Sequence, residues 1–296
     1  DYQETEYSYL VKGYSNEDVC NTAEEALAWA HERLGTEGYN SPVVTTLAEL
    51  DSITPEMAEF MVIPPIVQGT PNELVQAIRR AHQRGINLIC FEAAAGLEDL
   101  FGVELRSDGG VQVTKAGKEV FSHKKAVACY DCDDAEIILK GGENGEIPLV
   151  MIKDTAYGKT AFFNLPPTVV RRESFREQYK HGQRSISREM SQAFTAVCQE
   201  LCGQPAVSAE RGAIFAARTE KRDIVVILSE DSPIYGDITP YPVSFRFSVR
   251  EPGIGKMKIE SDAGYSVVRR EDDLVVLRTK TAKDDALFFR FSQNEA

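Results

Sequence analysis

The sequence lacks long apolar runs and is poor in basic residues. No stretch approaches the roughly 18 apolar residues that a membrane-spanning helix needs, so we expect no membrane contact through such a span. The 296 residues include 33 Lys and Arg against 46 Asp and Glu, which gives a formal net charge of −13. Nucleic acids and anionic membranes are bound through clustered cations. The charge balance therefore argues against both partners.

Cysteine is also scarce, with six in the chain. The pairs Cys129-x2-Cys132 and Cys198-x3-Cys202 could supply four zinc thiolates. The two residues inside the first pair, however, include neither glycine nor a basic residue, which zinc knuckles usually carry there. We therefore expect separate buried thiols, no bound metal and no cofactor. Because the chain also has no Asn-x-Ser/Thr acceptor, a reducing, cytoplasmic compartment is slightly favoured over a secreted one.

The beginning of the chain shows no secretory signal. It opens with the polar run Asp-Tyr-Gln-Glu-Thr-Glu and starts at Asp1 rather than at a methionine. We interpret the chain as processed or as one piece of a longer protein. The second interpretation fits a module that normally follows a catalytic domain, so a missing N-terminal catalytic domain is an expected partner.

Residues 60–102 carry the strongest structural pattern, which predicts strand, loop, helix, strand, loop and helix. Residues 60–63 and 88–91 are short continuous apolar runs, typical of strands buried on both faces of a parallel sheet. Pro64-Pro65 ends the first strand because proline cannot donate to a hydrogen-bond ladder. The sequence therefore predicts a strand–helix–strand crossover within an α/β sheet. Residues 43–46 are predicted as a further strand.

The predicted helix has its own start, face and stop signals. Thr70 is expected as N-cap, with Pro71 at the first helical position and Glu73 completing a capping box. Gly85 is expected to end the helix in a left-handed conformation. One apolar face is formed by Leu74, Ala77, Ile78 and Ala81.

The loops after the two strands are where a site is expected. In open α/β sheets, ligands and reactive groups collect at the carboxyl ends of the strands. These loops are residues 64–69 and 92–96, and the second reads Glu-Ala-Ala-Ala-Gly. An acyl-transfer enzyme needs a nucleophile on such a turn. Because the turn has no Ser, Cys or Thr, we expect no nucleophilic catalysis from it.

Two segments carry a resemblance to a known family. The first segment begins with Pro64-Pro65 and a helix, and continues with Arg-Gly-Ile-Asn-Leu at 84–88 and Gly-Leu-Glu-Asp-Leu-Phe-Gly-Val at 96–103. The second segment is Ala-Tyr-Gly-Lys-Thr-Ala-Phe-Phe-Asn-Leu-Pro at 156–166. They resemble the class-I glutamine-amidotransferase-like domain of large glycoside hydrolases, of the trimerisation type found in family-42 β-galactosidases. The resemblance covers residues 20–205 and implies a flavodoxin-like, doubly wound α/β domain with a β-rich extension. True amidotransferases have a cysteine on the turn, whereas Cys90 lies inside the strand, so amidotransferase activity is not implied.

The remainder of the chain predicts a second domain. Pro205 marks the boundary, which gives an α/β domain at 1–205 and an all-β domain at 206–296. Seven short strands are expected in the second domain, separated by turns as in a β-sandwich. They lie at 213–216, 223–228, 243–249, 255–259, 265–268, 274–279 and 286–291.

Three polar residues at predicted strand ends are the candidate site. Glu92 follows its strand directly, and Gln68 and Asn164 lie at the ends of neighbouring strands. All three are candidate binding residues, and Glu92 is the one candidate catalytic acid. The favoured interpretation of Glu92 is structural, as an acceptor for loop amides. No metal-binding residue is predicted.

The leading functional hypothesis is a non-catalytic accessory region of a glycoside-hydrolase-type protein, serving in oligomerisation or in completing a neighbour's carbohydrate site. It rests on the resemblance and on the missing nucleophile. One alternative is a stand-alone hydrolase or amidotransferase relative that uses Glu92. Another is a carbohydrate-binding module whose sandwich carries a saccharide.

Overall fold

The computed structural model describes residues 34–35, 38–39, 44–106, 113, 115–120, 129–165, 188–210, 213–219, 223–229, 243–281 and 286–293. These residues belong to two compact units. The first contains the described residues from 44 to 203, and the second contains those from 204 onward together with 34–35 and 38–39. No helix within the described ranges is long and apolar enough to cross a membrane.

The first unit alternates helices with strands and then becomes rich in strands. Its elements are α1 (Leu47–Ser52), β1 (Phe60–Ile63), α2 (Asn72–Gln83), β2 (Asn87–Phe91), α3 (Glu98–Phe101), β3 (Val103–Leu105), β4 (Lys115–Ala116), β5 (Glu119–Val120), β6 (Tyr130–Cys132), β7 (Glu136–Gly141), β8 (Ile147–Thr155), β9 (Gly158–Phe163) and α4 (Arg188–Cys202).

Most of these strands belong to one mixed sheet. Seven of them are ordered β1-β2-β9-β8-β7-β4-β5, and β3 pairs with β6 in a separate ribbon. The pairs β1–β2 and β2–β9 are parallel. The pairs β9–β8, β8–β7, β7–β4 and β4–β5 are antiparallel. The predicted α/β core and its β-rich extension are therefore two parts of a single sheet.

Helix α2 begins later than the sequence predicts. It starts at Asn72, and its N-cap is Pro71, whose φ of −54° and ψ of 131° lie outside the helical region. No side chain caps this end, so the predicted capping by Thr70 is wrong. The predicted apolar face is confirmed, since Ala77, Ile78 and Ala81 are buried. Gly85 has a φ of 100°, as expected of a glycine that ends a helix.

The strand predicted at 43–46 is also wrong for the described residues 44–46. Thr46 instead caps α1 through a capping box: Glu49 N–H donates to Thr46 Oγ1 at 3.2 Å, and Thr46 N–H donates to Glu49 Oε2 at 3.2 Å. These two bonds satisfy backbone donors that would otherwise lack partners at the helix start. The local capping preference therefore outweighs the β-branched composition.

Helices pack on both faces of the sheet. Because side chains alternate along a strand, Leu88 and Cys90 of β2 join the core formed with α1, α2 and α3. Phe91 points to the other face, where its ring centroid lies 6.0 Å from that of Phe194 in α4. Phe163 of β9 packs beside it, 4.8 Å from Phe91 and 5.8 Å from Phe194. The carboxyl end of β2 is therefore fixed from both sides.

The second unit is a β-sandwich. Its elements are β10 (Val207–Ala209), β11 (Ala213–Arg218), β12 (Ile224–Ser229), β13 (Val243–Arg250), a 3₁₀ turn (Ile254–Lys256), β14 (Lys258–Ser261), β15 (Tyr265–Arg270), β16 (Leu274–Thr281) and β17 (Ala286–Ser292).

Two four-stranded antiparallel sheets form this sandwich, in the orders β10-β13-β16-β15 and β11-β12-β17-β14. Phe245 and Phe247 of one sheet share a buried core with Phe289 and Phe291 of the other. The predicted all-β composition is confirmed. The strand expected at 255–259 starts later, because residues 254–256 form the 3₁₀ turn.

Candidate functional site

The chain turns sharply where β2 ends. Glu92 follows the last residue of β2 with a φ of 65°, and it is the one non-glycine residue with positive φ in the described part of the chain. Ala93 N–H donates to Phe91 O at 2.7 Å, which closes a three-residue γ-turn centred on Glu92. This form of γ-turn is rare and strained. The left-handed region costs an L-residue about 1–2 kcal/mol.

Backbone hydrogen bonds from two neighbouring segments hold the turn in place. Glu92 N–H donates to Phe163 O at the end of β9, at 2.7 Å. Ile66, in the loop after β1, donates to Ala93 O at 2.8 Å and accepts from Ala95 N–H at 2.7 Å. The turn is thus held between the loop after β1 and the end of β9, and these bonds offset its strain.

The side chain of Glu92 lies beneath the surface. Only 2% of the residue is exposed. The structure therefore places Glu92 at the predicted strand end, yet a substrate in solution does not reach it. A turn of this shape at the carboxyl end of a parallel strand is where nucleophilic hydrolases present their nucleophile. Here the apex carries a buried carboxyl group instead.

Cys90 does not supply a nucleophile either. The residue is fully buried, and its Sγ lies 3.2 Å from Ala93 O. Burial raises the pKa of the Cys90 thiol far above its usual value. Since the thiolate is the reactive form, this thiol is inert. The prediction of a buried strand cysteine is confirmed.

Asn164 is a structural joint. It is fully buried, and its Oδ1 accepts from Tyr130 N–H at 3.1 Å. Its Nδ2 donates to Tyr130 O at 2.7 Å and to Pro148 O at 2.9 Å. The carboxamide thus uses both donors and an acceptor on the protein backbone. Asn164 lies at the end of β9, as predicted, but its side chain is hydrogen-bonded to the backbone of the protein.

Tyr130 extends this joint to the loop after β2. Its hydroxyl accepts a hydrogen bond from Ala94 N–H at 3.2 Å, and only 2% of the residue is exposed. Burial raises the pKa of Tyr130 above its usual range, so the phenol is neutral at physiological pH. Asn164, Tyr130 and Ala94 thereby connect the end of β9 to the loop that follows Glu92.

Gln68 lies apart from the other two candidates. It borders an open cavity of about 510 Å³ between the loops that follow β1 and β2. Neither Glu92 nor Asn164 lines this cavity. The lining residues are Val67, Gln68, Gly69, Thr70, Asn72, Val75, Gln76, Arg79, Ala95 and Gly96. The structure therefore divides the predicted trio into two buried residues and one at an accessible cavity.

The sequence interpretation missed the part that Arg79 plays at this cavity. Arg79 binds Asp99 through Nη1–Oδ2 at 2.8 Å and Nη2–Oδ1 at 2.5 Å, and Nη2 also donates to Gly96 O at 2.6 Å. The guanidinium lowers the pKa of Asp99. The sequence places Arg79 on the outer face of α2, but a separation of 20 residues gives no sign of its partner.

The two cysteine pairs form no metal centre in the described residues. Cys132 Sγ lies 2.9 Å from Ala135 O, and Cys202 Sγ lies 2.9 Å from Cys198 O. Across the described ranges, no group of three or more His, Cys, Asp or Glu residues could hold a metal ion.

Comparison with known proteins finds similarity at the level of structure. Neither a family profile nor a curated protein sequence matches the chain. The similar solved structures include an exo-β-1,4-mannosidase from Opitutaceae bacterium strain TAV5, with 16% sequence identity over 64% of this chain and a TM-score of 0.41. The matched region spans 33% of the mannosidase chain. This chain therefore matches about a third of that enzyme's length.

We predict that the backbone strain at Glu92 can be measured with two substitutions. Glu92→Gly and Glu92→Ala both delete the side chain, but only alanine keeps the Cβ that disfavours positive φ. The free energy of unfolding of the glycine variant should exceed that of the alanine variant by about 1 kcal/mol. The free energy of unfolding is measured by urea titration, in which hydrogen exchange of the β2 and β9 amides reports the unfolding of the first unit. Equal stability would show that the turn is unstrained.

We also predict opposite outcomes for two carboxamides of the candidate site. Asn164→Ala should lower the free energy of unfolding of the first unit by about 2–4 kcal/mol, because buried backbone groups of Tyr130 and Pro148 lose their partners. Gln68→Ala, at an exposed position, should change it by less than about 0.5 kcal/mol. The same urea titration compares them. An unchanged stability for Asn164→Ala would contradict the structural role.

Proposed function

We propose that the chain is a non-catalytic accessory region of a glycoside-hydrolase-type protein, serving in self-association or in completing a neighbour's carbohydrate site. The amidotransferase-like assignment of the first unit belongs to this proposal. The connection with carbohydrate-active proteins rests on the sequence resemblance of residues 60–103 and 156–166.

The observation that carries the non-catalytic part is the composition of the turn at Glu92. The turn has the shape and position that suit a nucleophile, yet its apex residue is 2% exposed. The nearby thiol of Cys90 is fully buried and has a raised pKa. A hydrolase built on this turn would need an accessible nucleophile beside a base. Both side chains are instead buried within the first unit.

The surface of the first unit supports the self-association part. Met57 and Tyr157 are its two most exposed large apolar side chains within the described residues, at 68% and 51%. They belong to two turns that meet beside Gly85, since a Cβ built on Gly85 would lie 3.5 Å from Pro55 Cγ and 3.9 Å from Tyr157 O. Exposed apolar side chains on neighbouring turns are features of interaction surfaces.

We predict that the intact chain forms oligomers and that Met57 and Tyr157 contribute to them. The double variant Met57→Ser/Tyr157→Ser should weaken association about 10-fold or more, since removing interface anchors costs more than about 1 kcal/mol each. Light scattering at several concentrations measures this. Ile138→Ser is the matched control, because Ile138 is 40% exposed in the same unit.

Two results would refute the proposal. A monomer at all concentrations would exclude self-association of this chain. Hydrolysis of aryl glycosides by the chain, abolished by Glu92→Gln with the fold retained, would exclude the non-catalytic role and favour the enzyme hypothesis.

A second candidate function is saccharide binding by the sandwich, and one surface favours it. Phe215 in β11 lies opposite Ile227 in β12, which lies opposite Phe288 in β17. Phe215 is 55% exposed and Phe288 is 38% exposed. Phe215 and Phe288 are therefore two strand spacings apart, a separation of about 9.5 Å. The apolar faces of sugar rings can stack on such side chains.

We predict that this aromatic row is needed if the sandwich binds saccharides. Phe215→Ser/Phe288→Ser should weaken oligosaccharide binding about 10-fold or more in a calorimetric titration, because each ring contributes about 1 kcal/mol or more of contact energy. Val267→Ser is the control, since Val267 is 46% exposed on the other sheet. Equal affinities in both variants would exclude the row as the binding surface.

A further inference from the structure

Several carboxamide side chains lie in the wall of the cavity beside Gln68. Three carboxamide side chains border it, those of Gln68, Asn72 and Gln76. Gln76 Nε2 donates to Asn72 Oδ1 at 3.4 Å. Each of the three carboxamides still has a further donor and acceptor site for a ligand. At about 510 Å³, the cavity falls within the size range of small-molecule sites.

The charge of Arg79, which borders this cavity, is already balanced by a carboxylate. Arg79 is bound by both oxygens of Asp99, so the ion pair presents little net charge to an incoming ligand. Its two Nη2 hydrogens are used by Asp99 and Gly96, and one Nη1 hydrogen by Asp99. A guanidinium has five N–H donors. Arg79 therefore has the Nε hydrogen and one Nη1 hydrogen left to donate.

Apolar side chains complete the lining. Val67, Val75 and Ala95 lie among the carboxamides. A wall of this kind suits a ligand that has C–H surface between its polar groups. Small-molecule sites commonly combine an apolar lining with a few oriented polar groups.

From these features we propose that the cavity binds a neutral polyhydroxy ligand, such as a monosaccharide or the end of a saccharide chain. A hydroxyl group both donates and accepts, as a carboxamide does, so neighbouring hydroxyls pair with the Gln68, Asn72 and Gln76 amides. Arg79 donates to a further ligand oxygen. An anion is disfavoured because the guanidinium already holds a carboxylate. The inference goes beyond the proposed function, since the cavity is complete within one copy of the first unit.

The test is a titration of the full-length ¹⁵N-labelled chain with glucose, galactose, mannose and their methyl glycosides, followed by NMR. The carboxamide resonances of Gln68, Asn72 and Gln76 should shift saturably with at least one sugar. Gln68→Ala/Asn72→Ala should weaken that binding about 10-fold, because each lost hydrogen bond reduces affinity roughly 2- to 10-fold.

Gln83→Ala is the matched control. Gln83 is an exposed carboxamide on the same helix, at its last residue, and this variant should bind as the parent chain does. Acetate and phosphate form the anion arm of the titration. Absence of saturable shifts with every sugar, equal weakening by the control, or binding of the anions alone would overturn the proposal. None of these outcomes alters the mass measurement, so the two proposals fail separately.

Discussion

The parallel pairing of β1, β2 and β9 is the constraint on which the candidate site depends. β2 lies between the other two strands, so both of its edges are hydrogen-bonded. The pairing continues past the end of β2, through Ile66 on one side and Phe163 on the other. The chain must turn while both neighbours still hold its backbone. At this point Glu92 adopts the left-handed conformation and is buried.

Much of the fold could be predicted because its signals are local. Apolar runs mark β1 and β2, prolines mark where β1 stops, and alternation marks the sandwich strands. The errors came where two local signals competed. Thr46 has the β-branched side chain of a strand residue, but with Glu49 it forms a capping box. Pro71 suits the first helical position, yet its backbone is extended, so α2 starts one residue later.

The site was predictable only in part. Strand ends could be located from the sequence, which is why Gln68, Glu92 and Asn164 lie after the ends of β1, β2 and β9 as expected. The burial of these residues could not be predicted from the sequence, because it depends on which distant segments cover each strand end. Tyr130 and Pro148 form hydrogen bonds with Asn164, and the spacing of residues along the chain gives no sign of these partners. The pairing of Arg79 with Asp99 is hidden for the same reason.

The joint at Asn164 has a consequence for how the first unit assembles. Its side chain bonds residues that lie 34 and 16 positions earlier in the chain. Such non-local contacts form only after the intervening loops have closed, and loop closure slows folding. The β1–β2 pair can form early around α2, whereas β9 pairs with β2 only after a much longer segment has closed, since Leu88 pairs with Thr160. The strained turn at Glu92, which donates to Phe163 O, is therefore among the last features to become rigid, when β9 docks.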